Sequence, residues 1–180
     1  MRGLIMFSVL MATFAFAGCT TKDSAPKPGG AAGGVSSGLP DGIMLSSAPA
    51  DAKPLGEVKK SAKKGDKVTF VARVGGTKHP FVDGRATMIV IDSSLAACDA
   101  LEDDDCATPW DYCCEPRESK TANSATVQIV GDDGKPLALS LKGQGGIEEL
   151  VTITVVGVVT EKNDEGLMVV NASGVHVKKG

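Results

Sequence analysis

Four of the five cysteines in this 180-residue chain stand in one polar stretch, CDALEDDDCATPWDYCC, at Cys98, Cys106, Cys113 and Cys114. The same stretch holds the only Trp and the only Tyr, Trp110 and Tyr112. Thiols at this density bind a soft metal, cycle between thiol and disulfide, or staple a loop. The spacing, C-x7-C-x6-C-C, lacks the C-x2-4-C pair with which zinc knuckles aim two thiolates at one ion. It also lacks a thioredoxin-like C-x-x-C. Neighbours in an extended segment point to opposite sides, so Cys113 and Cys114 suit different partners better than each other. The leading expectation is therefore two structural disulfides joining Cys98 and Cys106 to Cys113 and Cys114, in either order, with no metal and no cofactor. The alternatives keep the four as thiols, around copper or zinc or as a redox pair.

Compartment decides between these, and the first residues read as an export signal. In MRGLIMFSVLMATFAFAGC, Arg2 is a short positive region and Leu4 to Phe16 an uncharged apolar run. The run is short for a membrane span and suits a signal-peptide core. Its end, Phe16-Ala17-Gly18-Cys19, resembles the lipobox of bacterial lipoproteins, with Phe16 where Leu is usual. The resemblance implies cleavage after Gly18 and acylation of Cys19, hence residues 1–18 as signal and a membrane-lipid partner through the acylated Cys19. Multiple acyl chains give a stable anchor where one gives a marginal one. Thr20, not Asp, follows the cysteine, which resembles an outer-membrane address on the periplasmic face. Export also places the other four cysteines in an oxidising compartment, which favours pairing.

Residues 19–42 continue in Gly, Ser, Ala and Pro with few large apolar side chains. Such a segment cannot bury enough surface to offset its ordering entropy and reads as a tether. That leaves residues 43–180 for one domain.

The elements that must position the thiols are mostly strands. GEVKKSAKKG predicts a short helix, with Glu57 near its start, Lys63 and Lys64 near its end and Gly65 as a stop. KVTFVARVGG alternates, placing Val68, Phe70, Ala72 and Val74 on one face. RATMIVIDSS pairs with it. ATVQIVGDDGKPLALSL predicts two strands around a Gly-Asp-Asp-Gly turn. GQGGIEEL suits one helical turn, VTITVVGVV a buried strand, and LMVVNASGVHV a last strand bent at Gly174. The cysteines fall in a long loop, residues 94–122, between predicted strands. The predicted fold is mainly β: a small closed OB-like barrel with one or two short helices, a small β-sandwich being the alternative.

Other chemistry finds little support. His79 precedes a Pro in a loop, and His176 alternates with valines as a surface histidine would; neither lies in a nucleophile motif. No catalytic residue is assigned, and no enzyme is expected. The acidic run Glu102 to Asp105 lacks the ligand spacing of a calcium loop. Removing Arg2 with the signal leaves 18 basic against 22 acidic residues, and aromatic platforms are few, so nucleic acid is not an expected partner. Trp110 and Tyr112 are candidate recognition residues if exposed, or core residues if not.

Taken together, the lipobox, the tether, GDKVTFVARVGG, PFVDGRATMIVID, TPWDYCCEP, ATVQIVGDDGKPL and LMVVNASGVHV resemble a group of uncharacterised bacterial envelope lipoproteins with an OB-like domain. TPWDYCC is the most specific piece. The resemblance implies fold and location and supplies no activity. The expected function is a non-enzymatic, membrane-anchored envelope lipoprotein binding a protein, a glycan or a small ligand. The alternative is a soft-metal or thiol redox module built on the four-cysteine loop.

Overall fold

Strand β2 (Lys67–Val74) alternates buried and less buried positions along its whole length, with Val68, Phe70, Ala72 and Val74 inside. In the computed structural model, which describes residues 38–101 and 106–179, it is the strand that closes the barrel. On one side it pairs antiparallel with β3 (Thr87–Ile91), on the other with β5 (Thr152–Lys162). Strand β3 pairs with β4 (Ser124–Gln128), β4 pairs parallel with β6 (Met168–Val177), and β6 returns antiparallel to β5. Five strands thus close in the order β2-β3-β4-β6-β5-β2, an OB-like barrel, and a two-residue strand β1 (Lys53–Pro54) adds to the outer side of β2. Closure removes the open edges that a sandwich would leave.

Inside, Phe70, Met88, Val90, Val127, Ile129, Leu141, Ile147, Ile153, Val155, Met168 and Val170 are buried in one cluster. Leu39 and Ile43 join it, so the barrel begins before residue 43 and takes in the last part of the segment read as tether. A single apolar residue among Gly and Pro carries too little signal to move that boundary. The signal peptide, Cys19, the tether as far as residue 37 and the acidic residues 102–105 lie outside the described residues. No helix among the described residues is long and apolar enough to cross a membrane.

Helix α1 (Leu55–Ser61) forms where the sequence places one, with Glu57 in its first turn, but it ends earlier than expected: Ala62 is extended, Lys59 and Lys60 are the basic residues of the last turn, and Lys63, Lys64 and Gly65 lie beyond it. Its Gly56 N–H donates to the buried Asp92 carboxylate, and a Cβ at Gly56 would lie 2.4 Å from the Asn123 side chain. The Lys59 ammonium donates to the carbonyls of Thr121, Ser124 and Gly166. Burial, and then the Lys162 charge, lowers its pKa to about 8. Lys162 in turn donates to the carbonyls of Lys59 and Ala62. These two lysines join α1 to the far ends of the Cys-rich loop and β5.

Three expectations change. The predicted hairpin after β4 yields one strand only; its second half pairs through a single bridge, Val130 with Pro136. Pro136 has no N–H to extend a ladder. The long cysteine loop is also less irregular than its composition suggests. It ends in helix α2 (Arg117–Asn123), which follows Pro116 and carries Glu118 in its first turn. The bend at Gly174 is present as a register shift opposite Val156 and Gly157. His176 is half-buried and its Nδ1 is enclosed without a hydrogen-bond partner, so it is not the open surface histidine expected.

Candidate metal centre

The loop that carries the cysteines is tied at its base. Asp92 N–H donates to Asn123 O at 2.8 Å, next to the Ile91–Ser124 pair that ends the β3–β4 ladder. Asp92 Oδ1 accepts the Ser94 N–H at 2.8 Å, and Oδ2 accepts the Gly56 N–H. Burial opposes the charge on Asp92, but these two N–H donors and the nearby Lys60 charge hold its carboxyl below the usual range.

The loop then docks on the double glycine that ends β2. Gly76 N–H donates to Trp110 O at 2.8 Å, and a Cβ on Gly75 would sit 2.6 Å from that same oxygen. The Trp110 indole Nε1 donates to Lys78 O at 3.1 Å. Tyr112 is wholly buried against Ile91, Ala97, Leu95 and Leu150 in a small second core. Its hydroxyl finds no hydrogen-bond partner, and burial raises its pKa, with Arg73 partly offsetting. Of the two candidate recognition residues, then, Tyr112 belongs to the core and Trp110 is half-buried at the docking seam.

Tyr112 also bends the backbone. It holds φ 55° and ψ 44°, a left-handed conformation that is rare for a bulky residue. Cys113 and Cys114 follow in a turn, not in an extended segment. The alternation that separates neighbouring side chains therefore does not apply, and both thiols come to the same side. Cys113 Sγ lies 3.9 Å from Cys114 Sγ and 3.5 Å from both Cys98 Sγ and Cys106 Sγ. Cys98 Sγ lies 4.0 Å from Cys114 Sγ.

These separations are far beyond the ~2.05 Å of a disulfide, and none of the four cysteines is in one. The expected pairings are absent from this structure; Cys113 Sγ instead stands against the other three sulfurs, and Cys98 Sγ against Cys114 Sγ. Four sulfurs bound tetrahedrally at about 2.3 Å stand about 3.8 Å apart. The four separations that link Cys113 to the other sulfurs and Cys98 to Cys114, 3.5 to 4.0 Å, bracket that edge length.

Electrostatics and outer contacts favour the same use. Cys98 is fully buried. Burial raises its pKa, yet the backbone N–H groups of Cys114 and Cys113 and the neighbouring thiols outweigh this and lower it. Cys113, bridged by Cys98 and then Cys106, is pushed up instead. Asp111, which the sequence reading passed over, organises the turn. Its Oδ1 accepts the Cys113 N–H at 2.8 Å and lies 4.0 Å from Cys106 Sγ, while its Oδ2 accepts the Thr108 hydroxyl at 3.0 Å. A carboxylate oxygen of Asp111 and the sulfurs of Cys98, Cys106 and Cys113 all lie within 4.8 Å of one another. The Asp two residues before a cysteine is the sequence signal for this turn.

Comparison with protein-family models, with curated proteins and with solved structures finds no match. The functional reading therefore rests on the residues and their geometry.

Proposed function

We propose that the chain is a membrane-tethered envelope lipoprotein whose OB-like barrel carries a tetrathiolate metal site. The ligands are Cys98, Cys106, Cys113 and Cys114, and the ion is a thiophilic divalent cation of the zinc class. The observation that carries this reading is the sulfur spacing of 3.5 to 4.0 Å, close to the edge of a metal–thiolate tetrahedron. Zinc has no redox chemistry of its own, and metal-bound thiolates are withheld from the pairing that export would otherwise favour. Lipidation at Cys19 and placement in the envelope are supported by the signal-like first residues and the lipobox resemblance.

Elemental analysis of the purified full-length chain tests the site. The expected content is one zinc per chain, with four thiols titrated only after chelation and denaturation. Two disulfides and no metal would return the cysteines to the stapling role. Lipidation is tested separately, by the mass of the amino-terminal peptide and its loss in Cys19→Ser.

A further inference from the structure

We infer that this is an exchange site, one that passes its divalent cation to thiolates of a partner instead of holding it permanently; the inference rests on the metal-binding reading above. Three observations carry it. First, the sulfurs are unequally covered. Cys98 is buried, Cys106 half-buried, and Cys113 and Cys114 exposed. An ion held by all four is therefore reachable from solvent on the side of the last two. A purely structural site gains most from being closed.

Second, five donors surround four positions. Asp111 shares a common centre with Cys98, Cys106 and Cys113, within 4.8 Å, while Cys114 completes the sulfur set from Cys98 and Cys113. Two four-coordinate arrangements thus share three sulfurs and differ in the fourth donor, the Cys114 sulfur or an Asp111 oxygen. Third, Asp111 is already held in place by the Thr108 hydroxyl and the Cys113 N–H, so it stands ready without rearrangement of the turn.

The exchange step needs no oxidant. An incoming partner thiol gives its proton to solvent and its sulfur binds the ion as the Cys114–metal bond breaks; the released Cys114 thiolate takes up a proton. The Asp111 carboxylate fills the fourth position whenever Cys114 has left before the partner sulfur arrives. Each later transfer replaces one protein–sulfur bond by one partner–sulfur bond, and the metal stays divalent throughout. Cys98, the one buried sulfur of the four, is the last ligand to leave.

The zinc-loaded full chain in detergent, mixed with dimercaptosuccinate, tests this. Zinc left on the protein is measured after rapid desalting at a series of times. Expected are a transfer rate that rises with acceptor concentration and a tenfold or greater slowing in Asp111→Asn. Asparagine at 111 can still accept the Cys113 N–H, and unchanged circular dichroism shows that the variant is folded. A rate independent of acceptor, or one unaltered in Asp111→Asn, overturns the exchange role while a one-to-one zinc content leaves the site itself standing. A chain that takes up no zinc overturns both.

Discussion

Cys98 is the sulfur on which the proposed site depends, because of the four it alone is buried, and backbone donors draw its thiol below the usual pKa. Cys98→Ser is therefore expected to weaken zinc binding by about two orders of magnitude or more, read by competition with a chelator, and Cys114→Ser by clearly less. Asp92 sets a pH dependence of its own. Its folded pKa lies below the unfolded value of about 3.9, so its contribution is present above that value and is lost as pH falls through the folded pKa. Denaturation of the metal-free, reduced chain should show wild type more stable than Asp92→Asn at pH 6, with the gap closing towards pH 3. A constant gap would contradict the carboxylate's role. At this scale the sequence was partly legible. The four cysteines and their neighbours Trp110 and Tyr112 stood out by type, but the arrangement of the thiols did not. The alternation argument assumed extended backbone at Cys113 and Cys114, and the left-handed Tyr112 replaces it with a turn. Nothing in the residue types marks a left-handed tyrosine.

At the level of elements, strand periodicity was the dependable signal. β2, β3, β5 and β6 lie where alternation and apolar runs place them, because each buries one face in the barrel. The second half of the β4 hairpin failed at Pro136, and α2 was hidden in a stretch whose polar composition masked its periodicity. Docking of the cysteine loop onto Gly75-Gly76 is an interaction between elements that no local pattern reports. Gly75→Ala tests it: the added Cβ would meet Trp110 O at 2.6 Å and the Tyr112 ring at 3.2 Å. The expected cost is roughly 1–3 kcal/mol in denaturant unfolding. Fluorescence of Trp110, the only tryptophan, should shift as the loop lifts. Lys59→Met probes the other anchor. It leaves the carbonyls of Thr121, Ser124 and Gly166 without their shared donor, and a loss of about 2–4 kcal/mol is expected. A loss below about 0.5 kcal/mol would mean that water replaces the ammonium there.

For the whole molecule, the barrel and the cysteine loop are two layers of order. The barrel has a continuous core and closes without the cysteines, whereas the loop holds only a small core of Ile91, Ala97 and Tyr112 with Leu95 and Leu150 beside it. Chelation is thus expected to loosen the loop while the strands persist, visible as lost amide protection over residues 95–101 and 106–116 with β2 and β5 unchanged. The signal-like first residues favour disulfides; the close approach of the thiols favours a metal, and the two readings differ in a measurable species. The most direct test is cobalt(II) substitution of the purified, reduced full-length chain, followed by visible absorption. The expected result is one cobalt per chain with the intense d–d bands and sulfur charge transfer of a tetrahedral tetrathiolate, displaced by one equivalent of zinc. Weak octahedral bands, or no cobalt retained on a chain with four titratable thiols, would contradict the metal centre.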